Sequence, residues 1–269
     1  MDEKRTQFRD PFRIRSRFYQ LTFRGKMLFL MLAGVALTAG AVGFFGFNAA
    51  VDEMRKSVSS RLSSVHEGKK REIEQQFTRI VQQATALARD PVTISALQQF
   101  SGAYKYLNPY LSKDQAATIN NAVGDYYRTF LITRWAARMA DTAGAFKNFF
   151  PKELRAKYLQ YHYIVNAPGE WDQKHEPDSA ADGSGYSSLH AYWHPQIRAG
   201  LEGTPFRDLL LIDSEGNVVY SFRKHIDWTT NLEKGPLSKS KLAEAFRLAL
   251  KAEKKGVVYF ADYELYRPT

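Results

Sequence analysis

Along the chain, hydrophobic and polar positions change their pattern three times. From Met27 to Val51 no residue is charged. At about 1.5 Å per helical residue this run is longer than the ~30 Å hydrocarbon layer of a bilayer. It predicts a transmembrane helix over residues 27–51, and Gly34, Gly40, Gly43 and Gly46 are tolerated in such a helix. Ala36 with Gly40, and Ala39 with Gly43, are small residues four apart, a spacing that lets two membrane helices approach closely.

Steps of three and four follow: Met54, Val58, Leu62 and Val65, then Ile73, Phe77, Ile80, Ala84 and Leu87. One apolar stripe on a long helix is the reading for residues 52–90, with Gly68 interrupting it where the stripe shifts. Ile73, Ile80 and Leu87 also keep a seven-residue step. That leaves two readings open, a self-pairing stalk or a helix packed on its own domain. Asp90-Pro91 restarts the helix and Asn108-Pro109 breaks the next one. Residues 113–148 read as helix, and Pro151 opens another through Val165. Residues 166–185, punctuated by Pro, Gly, Asp and Ser, read as a long loop. Residues 186–202 return to helix, with Pro195 forcing a kink or restart.

At Phe206 the period shortens. The runs 209–212 and 218–222 flank the turn Ser214-Glu215-Gly216-Asn217 and predict a β-hairpin. An amphipathic helix over 238–252 and a third strand over 257–263 complete the series. The fold class is α+β, with helices covering one face of a small antiparallel sheet. Its parts are a basic N-terminus over 1–26, the membrane helix over 27–51, a helical part over 52–205, and the start of the sheet over 206–269.

Charge changes this picture in one respect. Net charge is +10, and residues 1–26 hold eight basic side chains against three acidic ones. A basic flank beside an apolar span places that flank in the cytoplasm and the remainder on the far side. Arg and Lys interleaved with aromatics over residues 12–26 then act as an interfacial anchor on membrane lipid, and no nucleic-acid partner is expected. The chain has no cysteine, which excludes thiolate zinc sites, thiol catalysis and disulfides.

Candidate chemistry is sparse. No nucleophile elbow, phosphate loop or dinucleotide fingerprint is present, so neither catalysis nor a cofactor is expected. His190 and His194 share a helix face at a spacing that suits a metal, without the Glu of a metalloprotease helix. The same pair equally suits hydrogen bonds to neighbouring backbone. Tyr161 and His162, and Tyr186, Tyr192 and Trp193, carry polar tips on aromatic bodies, suited either to a small-ligand pocket or to a core. Asp227, in the loop after the hairpin, and Asp262, on the expected third strand, are further candidates for orienting a ligand.

Several stretches resemble a known family. They are ARDPVTISALQQFSGAY from Ala88, YLQYHYIVNAP from Tyr158 and DGSGYSSLHAYWHP from Asp182. With them go DLLLIDSEGNVVYSF from Asp208 and its continuation, SKLAEAFRLAL from Ser240, and VVYFADYELYRPT from Val257. Together they resemble the Cache-like, PAS-related extracytoplasmic sensor region of bacterial transmembrane receptors, such as methyl-accepting chemotaxis proteins and membrane adenylate or guanylate cyclases. The resemblance spans roughly residues 70–269. It implies a PAS-like sheet, a small extracytoplasmic ligand, a likeness to receptors of the bacterial inner membrane, and signal transfer through the membrane helix. Such receptors continue with two more strands, a second membrane helix, a HAMP linker and an output domain. None of these is in the sequence, which reads as the N-terminal part of such a receptor. The helical stripe and small-residue pairs add a homodimer to the expected partners. Two other classes stand beside the sensor: a membrane-tethered metal enzyme built on His190 and His194, and a structural stalk.

Overall fold

A computed structural model describes residues 22–131, 133–134, 142–254 and 256–266. Most of the basic N-terminus lies outside the described residues. The chain divides into two units, Met1–Gln75 and Gln76–Thr269.

The first helix, α1, runs Phe23–Arg89 without a break, 67 residues in all. The expected membrane helix and the helix expected over 52–90 are therefore one element. Gly68 does not interrupt it, because a single glycine costs about 1 kcal/mol, which the many flanking helix formers offset. α1 is the one helix among the described residues long and apolar enough to cross a membrane, judged by length and composition. Beyond the apolar run, Met54, Val58, Leu62 and Val65 are exposed.

In the second unit, α2 (Pro91–Lys105) starts with Pro in its first turn, as Asp90-Pro91 predicts. Helix α3 (Lys113–Tyr126) opens on a capping box, with Ser112 Oγ accepting from Gln115 N and Gln115 Oε1 accepting from Ser112 N. The helix expected over 113–148 is not one element. α3 passes into a π-helical turn, Tyr127–Leu131, and α4 is Thr142–Phe149; residues 132 and 135–141 of the expected helix lie outside the described residues. Helix α5 starts at Leu154, not at Pro151. It ends at Gln160, where a second π-helical turn, Tyr161–Val165, widens the chain. The long loop after it carries a 3₁₀ turn, Trp171–Gln173.

Helix α6 (Gly185–Leu201) passes through Pro195 and stays helical on both sides. The expected restart is absent. Burial of Trp193, His194, Ile197 and Leu201 on either side of the proline holds the helix through the defect.

The hairpin forms as expected. β1 (Leu210–Ile212) pairs antiparallel with β2 (Val218–Ser221), in the register Leu211 to Tyr220, with an irregularity between Leu211 and Ile212. Asp213 Oδ1 accepts from the amides of Glu215 and Asn217 and closes the turn. Helix α7 (Lys241–Leu250) is capped by Ser240 Oγ accepting from Ala243 N.

The expected third strand over 257–263 is not a strand. The stretch is held by side chains instead of a ladder. Phe260 packs edge-on to Phe77 with ring centroids 5.7 Å apart, Glu264 Oε1 accepts from Lys241 N, and Tyr266 donates to Asp227. The third line of backbone pairing comes from elsewhere. Val218 N donates to Thr230 O, and Thr229 N donates to Val218 O. The alternating residues at 257–263 share the pattern of a strand, but nothing in a pattern supplies a neighbouring ladder.

Helices α2 and α6 pack together over β2. Between them Phe100 stacks on Tyr220 at 4.9 Å and meets Tyr186 at 5.1 Å. All four residues of β2 are buried, as are Ile226, Trp228 and Leu232 behind it.

A candidate ligand cleft above a buried polar core

Gln160, at the junction of α5 and its π-turn, holds the loop that follows the hairpin. Its Oε1 accepts from Tyr127 Oη at 3.0 Å, and its Nε2 donates to Trp228 O and Thr229 Oγ1, each at 3.2 Å. Tyr104 Oη donates to Thr229 O. These bonds keep Thr229 at φ 68°, a left-handed backbone that a β-branched residue rarely adopts. The strained loop Thr229–Asn231 and the turn at Gly235 form one wall of a cleft of about 530 Å³; Phe149, Pro151, Ala156 and Gln160 form the other. Lys147, Lys152 and Lys234 stand on its rim, exposed, and none is in an ion pair among the described residues. Glu153, the one acidic residue there, is bound to Arg155. Thr, Asn and Gln groups under three unpaired ammonium groups are a lining for a small anion.

Below the cleft lies a sealed polar core. Lys224 is 1% exposed, with φ 62°. Its Nζ donates to Ser221 O at 2.7 Å and Phe222 O at 3.3 Å, and lies 4.7 Å from the ring centroid of Tyr220 and 5.7 Å from that of Trp228. Burial pulls the ammonium down to about 7, against an opposing pull from Asp208. Asp208 is raised by burial. Asp227 is raised to about 7, first by burial and then by the Asp208 charge. Its Oδ2 accepts from Tyr266 Oη at 2.7 Å, and Oδ1 makes no hydrogen bond within 3.5 Å among the described residues.

The nine residues singled out in the sequence do not converge. Tyr186, His190, Trp193, His194 and Asp227 are buried, whereas Tyr192 is 63% exposed and Asp262 is exposed. Tyr161 and His162 are half-buried on the π-turn. Tyr186 donates to Val219 O and Trp193 to Gln99, so both serve packing.

The histidine pair is committed as well. His194 Nε2 lies 2.6 Å from His175 O, a carbonyl that only accepts, so Nε2 carries the proton. Nδ1 then accepts from Tyr220 Oη at 2.6 Å. No lone pair of His194 remains for a metal. By the same logic His190 donates from Nδ1 to Asp178 O, leaving Nε2 buried without a hydrogen-bond partner among the described residues. The rings stack 4.4 Å apart. Burial, with the Lys224 charge second, pushes His194 down to about 2, and both rings are neutral. Among the described residues no group of three or more His, Asp or Glu stands with metal-ligand spacing.

Of the site candidates read from the sequence, none lines the cleft; the nearest, Asp227, stands two residues before Thr229. The lysines come from three separate elements, and no local signal marks them. Comparison with family models, curated proteins and solved structures finds no match to this chain.

Proposed function

We propose that this chain is the membrane-anchored sensory part of a receptor, and that its signal is a small anionic solute. The observation that carries the reading is the cleft: about 530 Å³, framed by a strained loop, and rimmed by three unpaired lysines. The body that bears it also includes the last turns of α1, through the Phe77–Phe260 contact and Leu87 against the core. A solute drawing the 229–236 loop toward α5 would bear on Gln160 and, through the shared core, on those turns. Coupling of this kind needs two arrangements of the packed elements. In this reading the basic N-terminus is cytoplasmic and the body extracytoplasmic. The exposed stripe Met54, Val58, Leu62 and Val65 pairs with a second copy. The Cache-like resemblance is consistent with the same assignment.

The test is a thermal-shift screen of the full chain in maltoside micelles against mono- and dicarboxylates, inorganic phosphate and neutral metabolites, with divalent metals as a separate panel. A ligand at a hundred times its Kd adds ~2.7 kcal/mol. The expected result is a shift from an anion that disappears in the Lys152→Gln/Lys234→Gln double variant. A shift only from neutral solutes, or an anion shift indifferent to those lysines, overturns the reading. A zinc shift lost in His190→Ala would favour the metal enzyme instead.

A further inference from the structure

A second cleft, also about 530 Å³, lies between the end of α2 and the start of α6. It shares no lining residue with the lysine cleft. Tyr106, Tyr110 and Tyr158 face it, with Leu107 and Leu189 filling in, and Asp182 is its single charged residue. Tyr110 is fully exposed and Tyr106 is 80% exposed, so two large aromatic rings stand in solvent at the mouth. Tyr158, on the wall, is buried.

The Asp182 charge is not neutralised. Its Oδ1 accepts from Ser184 N at 3.0 Å and Ser184 Oγ at 2.8 Å, while Oδ2 is buried without a hydrogen bond within 3.5 Å among the described residues; burial and then the nearby Asp182 carboxylate hold the Tyr158 phenol up at about 12. No Lys or Arg pairs with it among the described residues. The start of α6 also opens here, and a helix N-terminus contributes about +0.5 charge. Against a full carboxylate charge that leaves the cleft net negative. Ser184 Oγ already accepts from Ser187 N, so part of the terminus is satisfied internally.

We infer that this cleft binds a small organic ammonium ion, primary or quaternary, between the tyrosine faces and the Asp182 carboxylate. Ring faces attract a cation within about 6 Å of their centroids, more strongly the drier the site. An uncompensated carboxylate beside them selects a cation over a neutral molecule of the same shape. The site is independent of the anion cleft, so each proposal can fail alone.

The test is isothermal titration calorimetry on the full chain in maltoside micelles. The probes are choline and its neutral carbon isostere, 3,3-dimethylbutan-1-ol, with inorganic phosphate as the opposite charge. Choline is expected to bind at least tenfold tighter than the alcohol, to weaken at least tenfold in Asp182→Asn, and to weaken severalfold in Tyr110→Ala. Asn keeps the Oδ1 acceptor for Ser184, and Tyr110 is fully exposed, so both variants should fold. If Asp182→Asn melts early, the Tyr110→Ala ratio and the choline-to-alcohol ratio decide. Equal binding of choline and alcohol, binding indifferent to Tyr110, tighter binding of phosphate, or no heat from choline at tens of millimolar each overturns the inference.

Discussion

Replacing Lys224 with Met removes a titrating group from the driest part of the core, and the consequence is a change in slope. The drop from 10.5 to about 7 amounts to roughly 5 kcal/mol of preference for the neutral amine over the ammonium. The folded value lies below the unfolded one. Between pH 7 and 10 the unfolded chain therefore holds the proton that the folded chain has released, and stability rises with pH. Across pH 7 to 9 the gain is about 2 kcal/mol, approaching ~1.4 kcal/mol per pH unit at the upper end. Few other shifted groups interfere. The depressed histidines, His194 at about 2 and His225 at about 4, have finished titrating below pH 7, and Asp227 at about 7 is largely ionised above it. The methionine side chain would fill the space of the lysine stem but leave the Ser221 and Phe222 carbonyls without that donor, so the absolute stability is not the readout. Urea unfolding of the full chain in micelles, followed by fluorescence of the buried Trp171, Trp193 and Trp228, measures the slope. The wild type should gain about 2 kcal/mol from pH 7 to 9, and Lys224→Met well under half of that. Parallel curves would refute the claim that burial pulls Lys224 down to about 7 in the fold.

Three further outcomes follow from geometry already described. Tyr266→Phe removes the only side-chain donor to Asp227 among the described residues; since that carboxyl is raised to about 7, the loss should be ~1–3 kcal/mol at pH 8 and shrink toward pH 5, where the acid is protonated in the fold. Gly235→Ala puts a methyl carbon 2.3 Å from Asn231 O, so the turn that walls the lysine cleft must open; melting should fall by the equivalent of ~1–3 kcal/mol, and anion binding with it. The chain has no cysteine of its own, so single cysteines at Val58, Leu62 and Val65 should crosslink in membranes, whereas Ser59 and Ser63 should not; uniform crosslinking, or none, counts against a paired stripe.

Legibility in the sequence followed how local each cause was. The hairpin could be read because its turn is closed by Asp213 within the same few residues. The start of α2 was readable because Asp90-Pro91 is a local signal. Residues 257–263 have the alternation of a strand, but their anchors are Phe77, Lys241 and Asp227, all distant in sequence. Lys224 could not have been found, since a lysine between an arginine and a histidine reads as surface. Asp227 was singled out as a loop residue over a sheet, yet it is buried beneath Tyr266. His190 and His194 share a face as the spacing implied, but what occupies their nitrogens comes from residues 12 to 26 positions away.

The stretch after Gly256 behaves as a clasp. It lines an apolar groove of about 580 Å³ beside β1 and, among the described residues, is pinned at three side-chain points with no backbone ladder. Undoing three contacts takes less free energy than unzipping a strand, so this segment should open while the rest of the body stays folded. In hydrogen exchange its amides would go first. The moment of opening would strip Asp227 of its tyrosine donor and bare the leucines of β1 together, joining the ionisation of one buried acid to the exposure of one sheet edge.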